Sequence, residues 1–213
     1  MAKGWPLCLT VPGIGNSGRG HWQTLWERDR LDCARIDLGC WEAPIRNVWL
    51  SRIDQAVGDA GRPVVLVAHG LGCHAVAWWA ALLGKAAARR VRGALMVAPP
   101  DPRRDRRLAD FAPVPTAMLP FPSIVAASRD DGVADLGWSR ALAAEWVSDF
   151  VDLGEAGHVN ARSRLGGWSE GQRLLDMLID GGPGVSRYPY RREQPFRPAR
   201  PIRPTLRVVA SPR

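Results

Sequence analysis

The chain has 213 residues and a mass of 23.3 kDa, enough for one domain with a sizeable core and short of two. Hydrophobic residues make up 46% and charged residues 23%; this ordinary globular composition excludes a fibrous, collagen-like or wholly disordered chain, and no run of about 18 apolar residues offers a membrane span. The formal charge of +8 is concentrated at one end: from Gly182 to Arg213 there are eight arginines and one glutamate, which leaves 21 basic and 20 acidic groups for the rest.

Pro6 to Val11 reads as a strand that ends in the glycine-rich turn Gly13 to Gly18. His21 to Arg28 fits a helix with Trp22, Leu25 and Trp26 on one face, and Ala34 to Leu38 a short strand. Asn47 to Ala60 fits a helix that turns Trp49, Leu50, Ile53 and Val57 inward. The unbroken apolar run Pro63 to Ala68 is what a strand buried on both faces of a parallel sheet requires. A helix from Leu71 to about Leu83 follows, then strands at Gly93 to Ala98 and Ser123 to Ala127. A helix near Trp138 to Trp146, a strand from Phe150 to Leu153 and a helix near Glu170 to Ile179 complete the series. Strands alternating with helices predict a single α/β domain over residues 1–181, a mostly parallel sheet with helices on both faces.

The run Gly181-Gly182-Pro183-Gly184 stops a helix, and seven of the 18 prolines lie in the last 32 residues with none of the ten tryptophans. Residues 182–213 therefore form a Pro/Arg-rich tail that buries too little apolar surface to offset its ordering entropy, and disorder is expected of it. Any nucleic-acid contact would belong to this tail alone and is not expected of the nearly neutral body. The start of the chain lacks the apolar segment and cleavage site of a signal peptide. Cys8, Cys33, Cys40 and Cys73 have no paired spacing, so reduced thiols and a cytoplasmic location are expected.

Ligands of open parallel sheets bind beyond the carboxyl ends of the strands. Four segments meet that condition: Pro12 to Asn16, His69 to Cys73, Ser128 to Asp131, and Gly154 to His158. A strand–turn–helix in the middle of the chain, then an acid, then a histidine is the order of a Ser–Asp–His triad on an α/β-hydrolase sheet. The turn in such a site reads G-x-S-x-G. Here Ala68-His69-Gly70-Leu71-Gly72 places glycine where the serine belongs.

Across residues 6–180 the chain resembles the small bacterial and animal serine hydrolases of the retinoblastoma-binding-protein/YdeN type. The resemblance rests on seven blocks in order: Val11 to Gly18, Gly20 to Trp26, Val64 to His69, Val97 to Pro100, Pro120 to Val125, Ala127 to Asp131, and Gly154 to His158. It implies an α/β-hydrolase fold that hydrolyses a small-molecule ester, thioester or amide without a cofactor. Asp131 would be the acid, with Asp130 as its competitor, and His158 the base; Gly70 stands at the nucleophile position. The oxyanion hole of the fold uses backbone N–H groups, here those of Leu71 and Ile14, with Gly13 or Gly15 as neighbours of the latter. Glycine keeps the positive-φ turn while deleting the nucleophile, so activity is expected to be crippled; natural loss and deliberate inactivation would look alike. The rival reading is a non-catalytic protein that keeps the pocket for a ligand or protein partner.

Other motifs are weaker. Gly13, Gly15 and Gly18 spell G-x-G-x-x-G, with Asp32 as a loose match to the acidic residue of a dinucleotide site. His21, His69 and His74 show no metal spacing, and no metal site is expected. His69 should pack beside the sheet end and Cys73 should be a buried structural thiol. Ser17 fits the pocket mouth but has no base beside it, and Trp22, Trp26, Trp78 and Trp79 read as core.

Overall fold

The computed structural model describes residues 5–180, so the expectations for the tail lie outside the described residues. Six strands form one sheet in the order β2-β1-β3-β4-β5-β6, and every pairing is parallel. They are β1 (Leu7–Val11), β2 (Cys33–Arg35), β3 (Val64–His69), β4 (Val91–Val97), β5 (Ser123–Ala127) and β6 (Asp149–Asp152). The α-helices among the described residues are α1 (Trp22–Asp29), α2 (Arg46–Asp59), α3 (Leu71–Leu83), α4 (Lys85–Arg90), α5 (Leu136–Glu145) and α6 (Ser169–Asp180).

The sheet splits the core in two because alternate strand residues face opposite sides. Leu9, Val11, Leu66, Ala68 and Met96 pack under α2, α3 and α5, around Trp49, Val76, Trp79 and Leu142. Cys8, Val65, Val67, Leu95, Val97 and Ile124 pack under α1 and α6, around Trp22, Trp26, Leu174 and Leu178. All six residues of β3 are buried, as its unbroken apolar run demands. Trp22, Trp26 and Trp79 are buried, while Trp78 is partly exposed under the Arg46 guanidinium, 4.4 Å from the ring centroid.

Several boundaries differ from the sequence expectation. β2 covers Cys33–Arg35 and not Ala34 to Leu38; Ile36 still bonds to the Thr10 carbonyl at 3.0 Å, but beyond it the chain leaves the edge while Leu38 stays in the core. β4 begins two residues early, at Val91, where the register to β3 shifts between Val64 and Val65. α5 begins at Leu136 because Asp135 caps it, accepting from the Trp138 N–H at 2.9 Å. The unpredicted α4 arises where Gly84, at φ +51°, ends α3 and the alanine-rich stretch restarts a helix. A 3₁₀ turn at Arg106–Phe111 has no counterpart in the sequence pattern; Asp105 caps it, and it buries Leu108 and Phe111 against the α3 side.

Candidate functional site

The carboxyl ends of β1, β3, β5 and β6 open on one cavity of ≈ 230 Å³, lined among others by Gly13, Ile14, Gly70, Leu71 and His158. Gly70 forms the sharp turn between β3 and α3, at φ +56° and ψ −126°. A side chain is strained in that conformation and glycine is not. A Cβ built on Gly70 would have only two close neighbours, Gly13 Cα and His158 Nε2, each at 3.8 Å. Position 70 thus faces the histidine ring across a space that one further atom would bridge.

Asp131 follows β5 and His158 follows β6. The His158 Nδ1–H donates to Asp131 Oδ2 at 2.8 Å. A carboxylate only accepts, so the proton sits on Nδ1 and leaves the Nε2 lone pair toward Gly70. The Asp131 side chain is fully enclosed, and its Oδ1 accepts from the N–H groups of Val133 and Ala134 at 2.8 and 3.0 Å. Asp130, the competing residue, points elsewhere. It accepts from the Ser128 hydroxyl at 2.5 Å and from the Gly157 N–H at 2.7 Å, which shapes the histidine loop and holds its own carboxyl below the usual range.

The loop carrying His158 is fixed from below. His69 Nε2–H donates to the His158 carbonyl at 2.9 Å, and Trp22 Nε1–H to the Val159 carbonyl at 2.7 Å. His69 lies beside the sheet end, as expected, with its ring between those of His21 and His158 at centroid distances of 4.7 and 4.9 Å. Burial pushes His69 well below the usual histidine range and His21 down to about 4, Arg35 and His158 adding to the effect on His21.

The opposite wall is backbone. Leu71 is the first residue of α3, so its N–H has no intrahelical acceptor. A Cβ on Gly13 would come within 3.2 Å of the Leu71 nitrogen and 3.1 Å of the His69 oxygen; the glycine keeps that N–H uncrowded. Gly72 lets α3 approach β1 closely, since a Cβ there would lie 2.2 Å from the Val11 oxygen. The Gly13 to Gly18 turn, which carries Ile14, is clamped by Arg35 from β2. Its guanidinium donates to Asn16 Oδ1 and the Ser17 carbonyl, each at 3.0 Å, and pairs with Glu27 at 2.7 Å. Thr10 donates to the same glutamate.

Some expected features fall away from the cavity. Ser17 is buried and gives its hydroxyl to Gln23 Oε1 at 2.6 Å, so it does not line the mouth. Cys73 is buried with its thiol toward the Val97 carbonyl at 3.4 Å. Gly18 faces open space and Asp32 is held by Arg30 at 2.9 Å, so the dinucleotide features are not assembled. Among the described residues no group of three or more His, Cys, Asp or Glu could hold a metal ion, and no helix is long and apolar enough to cross a membrane. Asn16, His21, Asp105 and Arg107 line the cavity without having been singled out for it. The signal for Asn16 was its place in Gly-Ile-Gly-Asn, where its φ of +61° suits asparagine; the Asp105–Arg107 loop carried none.

Solved structures share this architecture. A protein from Pectobacterium atrosepticum described as a YdeN-like hydrolase is 29% identical, with a TM-score of 0.72 over 83% of this chain and 92% of that one. The ydeN product of B. subtilis matches at 17% identity and a TM-score of 0.69, covering 82% and 99%. An esterase domain from Rhodothermus marinus matches at 15% and 0.62, covering 83% and 89%. The last two likenesses speak for the α/β-hydrolase fold alone. No curated protein matches the sequence. A family model described as serine hydrolase spans residues 8–177, most of the folded body and every element of the cavity described above, and the chain therefore belongs to the serine hydrolase family.

Proposed function

We propose that this chain is a YdeN-type member of the family whose site is built for hydrolysis of a small-molecule ester, thioester or amide and lacks only the nucleophilic oxygen. Position 70 takes the nucleophile's place, His158 is the base, Asp131 holds its ring, and the N–H groups of Leu71 and Ile14 receive the oxyanion. With serine at 70, His158 Nε2 would take the hydroxyl proton as the oxygen attacks the acyl carbon, then return it to the leaving group. With glycine the acyl-enzyme route is closed, and the protein as written is crippled. Four free cysteines agree with a reducing, cytoplasmic setting.

The observation that carries the reading is the 3.8 Å between a Cβ at Gly70 and His158 Nε2. A serine Oγ, about 1.4 Å from its Cβ, falls within hydrogen-bond reach of that nitrogen. The test is Gly70→Ser. We expect hydrolysis of p-nitrophenyl acetate to rise by about 10²–10³-fold or more over the glycine form, with new labelling by a fluorophosphonate. A folded Gly70→Ser protein that neither turns over esters nor labels would overturn the reading. The intact ≈ 230 Å³ cavity would then favour a binding protein that recognises its ligand without reacting.

A further inference from the structure

The space over Gly70 has room for a side chain. Serine differs from glycine by CH2OH, and methanol is that fragment with one added hydrogen. Apart from the flanking His69 and Leu71, the described residues place only Gly13 Cα and His158 Nε2 within 4 Å of the Cβ position. His158 Nε2 has no hydrogen-bond partner among the described residues, while its Nδ1–H is held on Asp131 at 2.8 Å. The base is therefore oriented and aimed at a site with no side chain in it. The backbone around that site also keeps the conformation a side-chain nucleophile would require, although the glycine does not need it.

We propose that this chain takes its oxygen nucleophile from solution: the notch over Gly70 seats a small hydroxyl compound, methanol-sized or water, which attacks the acyl carbon directly. The inference rests on the reading of position 70 given above. In the step, the nucleophile's O–H proton passes to His158 Nε2 as its oxygen bonds to the acyl carbon. The carbonyl oxygen becomes an oxyanion against the Leu71 and Ile14 N–H groups. The bond to the leaving oxygen or nitrogen then breaks, and the proton on Nε2 goes to the leaving group, or to solvent when that group departs as a stable anion. Water gives the carboxylic acid and methanol gives the methyl ester. No covalent enzyme intermediate forms, no oxidant or reductant is consumed, and the chemistry is acyl transfer to an external acceptor by single displacement.

The unaltered glycine protein is tested with p-nitrophenyl acetate and increasing methanol, following p-nitrophenolate release and the yields of methyl acetate and acetate. We expect a saturable rise in rate of about tenfold, with methyl acetate formed in excess of its yield in buffer. The rise should vanish in His158→Ala and should be smaller with the bulkier 2-propanol. Gly70→Ala, which fills the notch with a methyl group, should lose the methanol effect. The alcohol size series on the unaltered chain gives the same answer should that variant not fold. A methanol effect that is linear and equal in the unaltered chain and in His158→Ala is solution methanolysis, and it would overturn the proposal. If Gly70→Ser gains hydrolysis while methanol fails in this way, the external acceptor is wrong and the reading of the site stands. If both fail, both are wrong.

Discussion

The two walls of the cavity are made of different material. One is backbone: the Gly13 to Gly18 turn and the Gly70–Gly72 elbow line it, and a Cβ at Gly13 or Gly72 would crowd neighbouring backbone. The other is side chain: Asp131 and His158 meet at 2.8 Å and are held by partners of their own. A backbone wall keeps its shape whatever single side chain projects from it, because the shape does not depend on side chains. A side-chain wall cannot lose a member without leaving a buried charge or an unheld ring. On the function proposed above, that contrast is how position 70 can be glycine while His158 and Asp131 stay paired.

Acid should have the largest effect, on both walls together. Three imidazoles are buried in the folded body, those of His21, His69 and His74. Burial holds His21 and His74 down to about 4 and His69 well below the usual range. The unfolded chain binds protons on all three near pH 6.5 and the folded one does not, so their contribution is intact above that pH and is lost as the pH falls toward 4. Each ring contributes a slope of up to about 1.4 kcal/mol per pH unit. Urea midpoints at about pH 7.5 and pH 5 should therefore differ by several kcal/mol in stability; equal midpoints would mean that the rings are protonated in the fold.

The side-chain wall is next. In a Gly70→Ser background, His158→Ala or Asp131→Asn should return ester hydrolysis to the glycine level, a fall of about 10²–10³-fold or more measured as kcat. Retention of most of the activity would remove these residues from the roles proposed. Third is the closeness of the two glycine segments. Gly72→Ala places a methyl group 2.2 Å from the Val11 oxygen and 2.7 Å from the Pro12 oxygen, both backbone, and should cost about 3 kcal/mol in urea unfolding. An unchanged midpoint would show that α3 can slide away from β1.

The smallest effect separates two adjacent carboxylates. Asp130→Asn in the Gly70→Ser background should leave kcat within about threefold and lower stability by about 1 kcal/mol, because Asp130 braces the loop through Ser128 and Gly157. If it abolished turnover while Asp131→Asn did not, the two roles would be reversed.

The fold was legible where each strand announces itself alone. Pro63 to Ala68 is apolar throughout, and the turn at Gly70 follows one residue later. Edge and transition were less so: β2 is short because its pairing is one-sided, and α4 depends on how Gly84 turns the chain. In the site, a turn at Gly70, an acid at 130 or 131 and a histidine at 158 could be placed at strand ends from their order. The Arg35 clamp could not, since it joins β2 to a turn some eighteen residues earlier and an arginine in a short strand carries no local sign of its partner. The choice between Asp130 and Asp131 likewise turns on which carboxylate faces the ring, a matter of loop geometry.

Cysteine placement has a practical consequence. Cys8, Cys33 and Cys73 are buried, and burial pushes Cys8 up to about 12 and the other two higher still, so none offers a thiolate near neutral pH. Cys40 is exposed, next to Trp41, whose carbonyl accepts from the Gly15 N–H at 3.0 Å. A maleimide dye added to the native protein should therefore attach at one place, one residue from a hydrogen bond to the glycine turn. Without any engineered attachment point, the molecule carries a handle for watching the backbone wall respond when a ligand enters.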